Sequence, residues 1–127
     1  MPKKKGGERM PRSPLNQSLH DSVVSTRAKE LQGEGNRVWA DVAGYVTPQQ
    51  VYNHIPDIVA NGNRNLISEI ETADTYSSQH TKEQLQDFDS ALNYSLEFVV
   101  PQSVYYSAKQ LIQGWGISVD YWRTFKG

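Results

Sequence analysis

The chain has 127 residues, a formal net charge of -1 and no cysteine. That length fits one domain, and the missing cysteines exclude disulfides, thiolate metal sites and a cysteine nucleophile. The longest strictly apolar run is residues 98–100, which is far too short for a membrane span. No signal peptide is expected, because the basic start runs into Gly6, Gly7 and Glu8 and not into an apolar stretch.

Charge is divided unevenly along the sequence. Residues 1–12 hold five basic residues against one acidic residue, a charge of +4, whereas residues 13–127 carry -5. The basic residues of this N-terminal arm are Lys3, Lys4, Lys5, Arg9 and Arg12. The arm contains prolines and glycines and has no periodic pattern of apolar residues, so we expect it to be disordered without a partner. Such arms typically contact nucleic-acid phosphates; the alternatives are a solubility tail or a localisation signal.

The first half of the chain shows mainly helical spacing. Ser13 before Pro14 predicts an N-cap, and the apolar stripe that follows fades near Gly33. A second stripe over residues 38–46 either begins a new helix or continues the first one beyond a kink. Further helices are predicted over residues 51–59, with a break at Pro56, and over residues 66–73, with a turn at residues 61–63 between them.

The second half continues this pattern. Thr81 and Gln84 match a capping box that opens an apolar stripe from Leu85 to Val99, and another stripe covers residues 104–115. The tail alternates like a strand but also suits a helix; we expect a helix or a packed extended tail. The prediction is an all-α fold, a small helical bundle preceded by an extended basic N-terminal arm and a long first helix. Its parts are the arm (1–14), the long, possibly kinked helix region (15–46) and an acidic bundle with an aromatic C-terminus (47–127).

Residues for catalysis are not apparent. The three histidines are 34 and 26 residues apart, which matches no local metal spacing. Glu69 and Glu71, like Asp87 and Asp89, are two apart on predicted helices and would point to different faces. The sequence therefore predicts no catalytic residue, no metal site, no cofactor, no small-molecule substrate and no enzymatic activity.

Two groups of residues suggest binding surfaces. On the first predicted helix, small polar side chains and a lysine share one face, with two arginines nearby, a surface suited to phosphate contacts. These residues are Ser18, Ser22, Ser25, Arg27, Lys29 and Arg37. Aromatic residues concentrate at the other end, as core or as a protein interface. The interface candidates are Tyr105, Tyr106, Trp115, Tyr121, Trp122 and Phe125.

The order of these parts resembles the major capsid proteins of filamentous archaeal viruses, the rudivirus, lipothrixvirus and tristromavirus type. The resemblance is carried by residues 3–5, residues 9–14, the helix from Leu15 and residues 105–108. It implies that the arm and first helix wrap double-stranded DNA held in A form. It also implies pairing with a second copy or with a similar coat protein.

The function predicted from the sequence is a structural coat protein that assembles helically around double-stranded DNA without sequence specificity. Its expected location is the virion, assembled in the host cytoplasm. Two alternatives stay open. One is a small, non-enzymatic, chromatin-type DNA-binding protein, and the other is a helical adaptor whose aromatic C-terminus binds a protein partner.

Overall fold

The chain folds as a mixed α/β structure, so the predicted all-α bundle is wrong. The computed structural model describes residues 12–127, and the predicted contacts at Lys3, Lys4, Lys5 and Arg9 lie outside the described residues. Within that part, no helix is long and apolar enough to cross a membrane. The elements are α1 (Pro14–Gly33), β1 (Arg37–Ala40), β2 (Ile58–Asn61), β3 (Leu66–Ile70), α2 (Gln79–Asp89), β4 (Ser95–Pro101), a 3-10 turn (Gln102–Val104), α3 (Tyr105–Gly114) and β5 (Tyr121–Phe125).

The five strands form one sheet in the order β1-β2-β3-β4-β5. The pairs β1–β2 and β2–β3 are antiparallel, and the pairs β3–β4 and β4–β5 are parallel. Parallel neighbours need a crossover connection, and α2 and α3 supply the two crossovers. The carboxyl end of β3 therefore lies beside the amino-terminal end of β2.

Two apolar clusters cover the two faces of the sheet. On one face, Val24, Ala28 and Leu31 of α1 pack on residues that include Ile58 and Ile70; we call this the α1 face. On the opposite face, α2 and α3 pack on residues that include Ile67, Phe98 and Val100; we call this the α2/α3 face. The alternation of Ile67 and Ile70 between the two clusters follows from the two-residue period of a strand.

The end signals of α1 and the apolar stripe of α3 predict helices that the structure confirms. Ser13 is the N-cap of α1, its hydroxyl accepting from the Asn16 amide at 3.2 Å, and the helix ends at Gly33 as predicted. The helix predicted over residues 104–115 is confirmed as α3. At α2 the predicted capping box is wrong, because the cap is Ser78, which accepts from the Thr81 amide at 3.1 Å.

The other predicted helices are strands or irregular backbone. Residues 38–46 contain β1 and a loop, residues 51–59 contain an isolated bridge and the start of β2, and residues 66–73 contain β3. The long stripe from Leu85 to Val99 is divided between α2 and β4. A strand buried on both faces is apolar at nearly every position, and such a run offers both helical and strand spacings. The tail forms strand β5, paired with β4, and not the expected helix or packed extended tail; its alternating pattern fits the strand, whose partner has no local signature in the sequence.

Candidate functional site

Three acidic side chains meet where β2 begins and β3 ends. Ile58 pairs with Ser68, so the preceding Asp57 lies opposite Glu69. The Asp57 amide donates to Glu69 Oε1 at 3.0 Å, and the Ile70 amide donates to Asp57 Oδ2 at 2.9 Å. Together with Glu71, these residues form what we call the carboxylate cluster, Asp57, Glu69 and Glu71.

Glu69 and Glu71 point to the same side because they lie on extended backbone. The prediction that they face apart assumed a helix and is wrong, since alternate residues of a strand share a face. Glu71 follows the last residue of β3, but its amide still donates to Val99 O at 3.0 Å. The parallel ladder therefore continues through Glu71 and holds the two carboxylates in line.

Two cationic side chains approach the carboxylate cluster from the start of the described chain. Arg12 Nη2 lies 3.0 Å from Glu71 Oε1, and Arg12 Nε donates to Thr72 Oγ1 at 3.2 Å. His20, on the buried stripe of α1, lies with Nε2 3.1 Å from Asp57 Oδ2 and with Nδ1 2.9 Å from Asp21 Oδ1. The cluster thus has three acids for one arginine and one histidine.

Burial makes these charges costly. Glu69 and Glu71 are 1% and 2% exposed. Burial, reinforced by the charges of Asp57 and Glu71, raises the pKa of Glu69 well above its usual value. Burial also raises the pKa of Glu71 to about 7, against the opposing charge of Arg12. Buried like charges with shifted pKa values are typical of functional sites, because packing alone does not require them.

His20 responds to the same surroundings in the opposite sense. Burial alone would lower the pKa of this imidazole, but the hydrogen bond and charge of Asp57 outweigh burial and raise it. The raised pKa favours the imidazolium form beside Asp57. His20 therefore offsets part of the negative charge of the carboxylate cluster.

Gln84 supplies a further buried polar group on the α2/α3 face. It is 5% exposed, and its Oε1 has no hydrogen-bond partner among the described residues. Thr81, one turn earlier on the buried side of α2, donates to Thr75 O at 2.7 Å in the loop that follows Glu71. That bond anchors α2 over the end of β3, so the unsatisfied oxygen lies on the face that Glu69 also occupies. An orphaned buried acceptor costs about 1–3 kcal/mol unless a water molecule or a ligand supplies the missing donor.

The position and chemistry of the carboxylate cluster suit a hard divalent cation. Ligands of open α/β sheets bind outside the carboxyl ends of parallel strands; Glu71 follows that end of β3, and Glu69 lies one residue before it. Among residues 12–127, no group of three or more histidine or acidic side chains is arranged to hold a metal ion. Mg²⁺ commonly uses one or two carboxylates and completes its shell with water and substrate phosphate. The carboxylate cluster contains two carboxylates on paired positions, Asp57 and Glu69, that could take this part.

The predicted nucleic-acid residues are dispersed. Ser18, Ser22 and Lys29 are exposed on α1, and Ser25 is half-buried beside them. Arg27 is 4% exposed and forms a two-point ion pair with Glu97, Nε to Oε1 at 3.0 Å and Nη2 to Oε2 at 2.8 Å. Its charge is thus engaged inside the protein.

Two of the predicted nucleic-acid arginines lie apart from α1. Arg12 reaches the carboxylate cluster, as described above. Arg37 is exposed, with its guanidinium 5.0 Å from the centre of the Trp39 ring. Arg12 therefore lies in a buried acidic site, whereas Arg37 lies on β1 at the edge of the sheet.

The predicted interface aromatics pack largely within the chain. Trp122 contacts Phe98 and Tyr105 edge to face, with ring centres 5.5 and 5.7 Å apart. Trp115 and Phe125 are half-buried, whereas Tyr106 and Tyr121 are exposed. A role of these residues in binding another protein stays a prediction.

Sequence reasoning missed the carboxylate cluster, His20 and Gln84. A usable signal was present, because acidic residues at alternate positions interrupt an otherwise apolar run at residues 66–71. Alternation of that kind is typical of a strand. The approach of Asp57 depends on strand pairing and has no local signature.

Comparison with known proteins gives no family for this chain. No family model, no curated protein and no solved structure matches it. The resemblance to viral capsid proteins stays a prediction, and its all-α expectation is the part that the fold contradicts.

Proposed function

We propose that this protein is a divalent-cation-dependent hydrolase of phosphodiester bonds in nucleic acids. The observation that carries the proposal is the carboxylate cluster, three acids gathered at the carboxyl end of β3 with raised pKa values at Glu69 and Glu71. Phosphodiester chemistry suits such a site, because a bound divalent cation supplies charge stabilisation at the phosphate. Asp57 and Glu69 would hold the cation.

The remaining polar groups have separate roles in this proposal. His20 keeps Asp57 oriented through the 3.1 Å contact of Nε2 with Oδ2. Arg12 neutralises Glu71 while the site is empty of substrate, and its guanidinium can instead contact a phosphate of the substrate. The unsatisfied oxygen of Gln84 accepts a hydrogen bond from water or substrate in the loaded site.

The charge distribution supports nucleic acid as the substrate class. Residues 1–12 carry +4, although the chain as a whole is close to neutral. A basic segment attached beside an acidic site draws a polyanion toward carboxylates that would otherwise repel it. Contacts of this kind are made to the backbone, so affinity should fall steeply with salt.

The second candidate is the non-enzymatic coat or DNA-binding protein predicted from the sequence. The exposed side chains of Ser18, Ser22 and Lys29 on α1 favour it, because they form a polar surface that a nucleic-acid backbone can approach. In that case the protein binds and covers DNA but leaves it intact.

The test is incubation of the protein with end-labelled single- and double-stranded DNA and RNA in Mg²⁺, Mn²⁺ or EDTA. We expect cleavage with a divalent cation and none in EDTA. Glu69→Gln and Asp57→Asn should reduce the rate at least 100-fold, the scale on which removing one essential electrostatic group acts. Glu83→Gln, the same chemical change on α2 where the carboxylate accepts from Gln79 at 3.2 Å, is the matched control and should cleave normally.

Two results would contradict the proposal. One is intact nucleic acid in every condition, with the protein bound to it, which would favour the coat or DNA-binding alternative. The other is cleavage that persists unchanged in Glu69→Gln, which would place the activity elsewhere.

A further inference from the structure

A pocket of about 360 Å³ lies on the α2/α3 face, on the part of the sheet formed by β1, β2 and β3. Residues 48–51 form its outer wall, and side chains of the three strands form its floor. The lining residues are Trp39, Pro48, Gln49, Gln50, Val51, Val59, Asn61, Ile67 and Tyr94. The volume is within the range of small-molecule sites.

The walls of this pocket suit a flat, uncharged ring with hydrogen-bonding edges. Trp39 supplies an aromatic surface, and Val59 and Ile67 supply aliphatic ones. Asn61 holds an amide at the rim, where its Nδ2 donates to Tyr94 Oη at 3.1 Å. No charged side chain lines the pocket in the described part of the chain, and the Arg37 guanidinium lies outside it against the Trp39 ring.

The pocket and the carboxylate cluster are neighbours on the same strands. Val59 is two residues from Asp57, and Ile67 is two residues from Glu69. Two residues of strand span about 7 Å, and alternate residues share a face. A ring lying over the paired side chains of Val59 and Ile67 would therefore lie about one sugar length from a phosphate at the carboxylate cluster.

We propose that the pocket takes one unstacked nucleobase of the strand whose phosphate lies at the carboxylate cluster. The placement of this base relative to the phosphate rests on the proposed function, whereas the binding of a base in the pocket does not. Aromatic side chains that hold single bases tolerate different sequences, because each base has a flat face to stack. Amide groups such as those of Asn61 and Gln50 would add edge contacts and select among bases.

The test measures binding of AMP, GMP, CMP and UMP to the metal-free protein in EDTA, with ribose 5-phosphate as the probe that lacks a base. In wild-type protein, the indole N–H signal of Trp39 should shift on addition of a mononucleotide, while that of Trp115, which follows α3 and does not line the pocket, should not. Trp39→Ala should weaken mononucleotide binding about tenfold or more, and Trp39→Phe should stay within about threefold of wild type. Trp115→Phe is the control.

The inference is overturned if ribose 5-phosphate binds as tightly as AMP, or if the Trp39 signal does not move at saturating AMP. Failure of the inference differs from failure of the proposed function. Cation-dependent cleavage that is equally fast in wild type and Trp39→Ala, with no base-dependent binding, overturns the pocket alone. Base-dependent binding at Trp39 without any cleavage supports the pocket and overturns the hydrolase.

Discussion

The buried stripe of α1 carries two charged groups that meet very different partners. Arg27 forms a complete ion pair with Glu97, whose Oε1 also accepts from Ser68 Oγ at 2.6 Å. Two turns earlier, His20 meets the carboxylate cluster, where acids outnumber cations. The first group is balanced and satisfied inside the protein. In the second, three acidic side chains face two cationic ones, and burial disfavours the charged forms of Glu69 and Glu71 unless a cationic ligand binds.

The same chemical change, glutamate to glutamine, therefore has different expected effects at different positions. It should lower the free energy of unfolding at Glu97 and raise it at Glu69. At Glu71 the change should depend on pH, and at the surface it should be close to zero. These expectations follow from what surrounds each carboxylate.

The largest effect is expected at Glu97. Glu97→Gln removes the buried counter-charge of Arg27 and leaves its guanidinium with the exposed carboxylate of Glu30, 3.0 Å from Nη1, so the free energy of unfolding should fall by about 3 kcal/mol. Urea unfolding of wild type and Glu97→Gln at pH 7 measures this loss of unfolding free energy. Replacing both partners with apolar residues, Arg27→Met with Glu97→Leu, should recover much of the loss. A double variant as unstable as Glu97→Gln would show that the pair is not the cause.

At Glu69 the expected sign is reversed. Glu69→Gln removes a buried charge that burial and neighbouring carboxylates disfavour, so the free energy of unfolding at pH 8 should rise by about 1–3 kcal/mol. The glutamine can still accept the hydrogen bond from the Asp57 amide. Urea unfolding in EDTA measures this gain. A loss of stability under these conditions would contradict the interpretation that burial disfavours the charged form of Glu69.

At Glu71 the expected effect depends on pH. Its pKa is raised from 4.5 to about 7, so the folded state holds a proton that the unfolded state has already released. This contribution to stability is fully present below pH 4.5 and is lost as pH rises through 7. The difference in unfolding free energy between Glu71→Gln and wild type should therefore grow from pH 5 to pH 8. A difference that is constant over that range would contradict the raised pKa.

The smallest effect is expected at Glu34, whose carboxylate lies 3.3 Å from Arg64 at the surface. Both side chains are well exposed, at 43% and 31%, so solvent screens the pair. Glu34→Gln should change the unfolding free energy by less than about 0.5 kcal/mol, measured in the same urea series. A loss of several kcal/mol here would mean that glutamine substitution is disruptive in itself.

Local signals in the sequence were enough to place two of the three helices well. The Ser13 cap and the loss of pattern near Gly33 depend only on neighbours in the chain, and so does the stripe of α3. The strand predictions failed because the central strands are buried on both faces, so an apolar run such as residues 98–100 shows no alternation.

The carboxylate cluster could not be assembled from local signals. On the predicted helix, the carboxylates of Glu69 and Glu71 would face different directions. On the extended backbone that the structure shows, they lie on the same side. Asp57 joins them only through the antiparallel pairing of β2 with β3, a contact across twelve residues of sequence. The arm was visible as a run of charge, but charge alone did not reveal the acidic site beside Arg12.

The most direct test of the central claim is the effect of Mn²⁺ and an oligonucleotide on the melting temperature of wild type and Glu69→Gln at pH 8. The carboxylate cluster should bind the cation with the phosphate backbone, so both together should raise the melting temperature of wild type. In Glu69→Gln, Mn²⁺ with the oligonucleotide should raise the melting temperature no further than the oligonucleotide alone does. Without any ligand, this variant should melt at a higher temperature than wild type. An equal cation-dependent rise in both proteins, or none in either, would contradict the account.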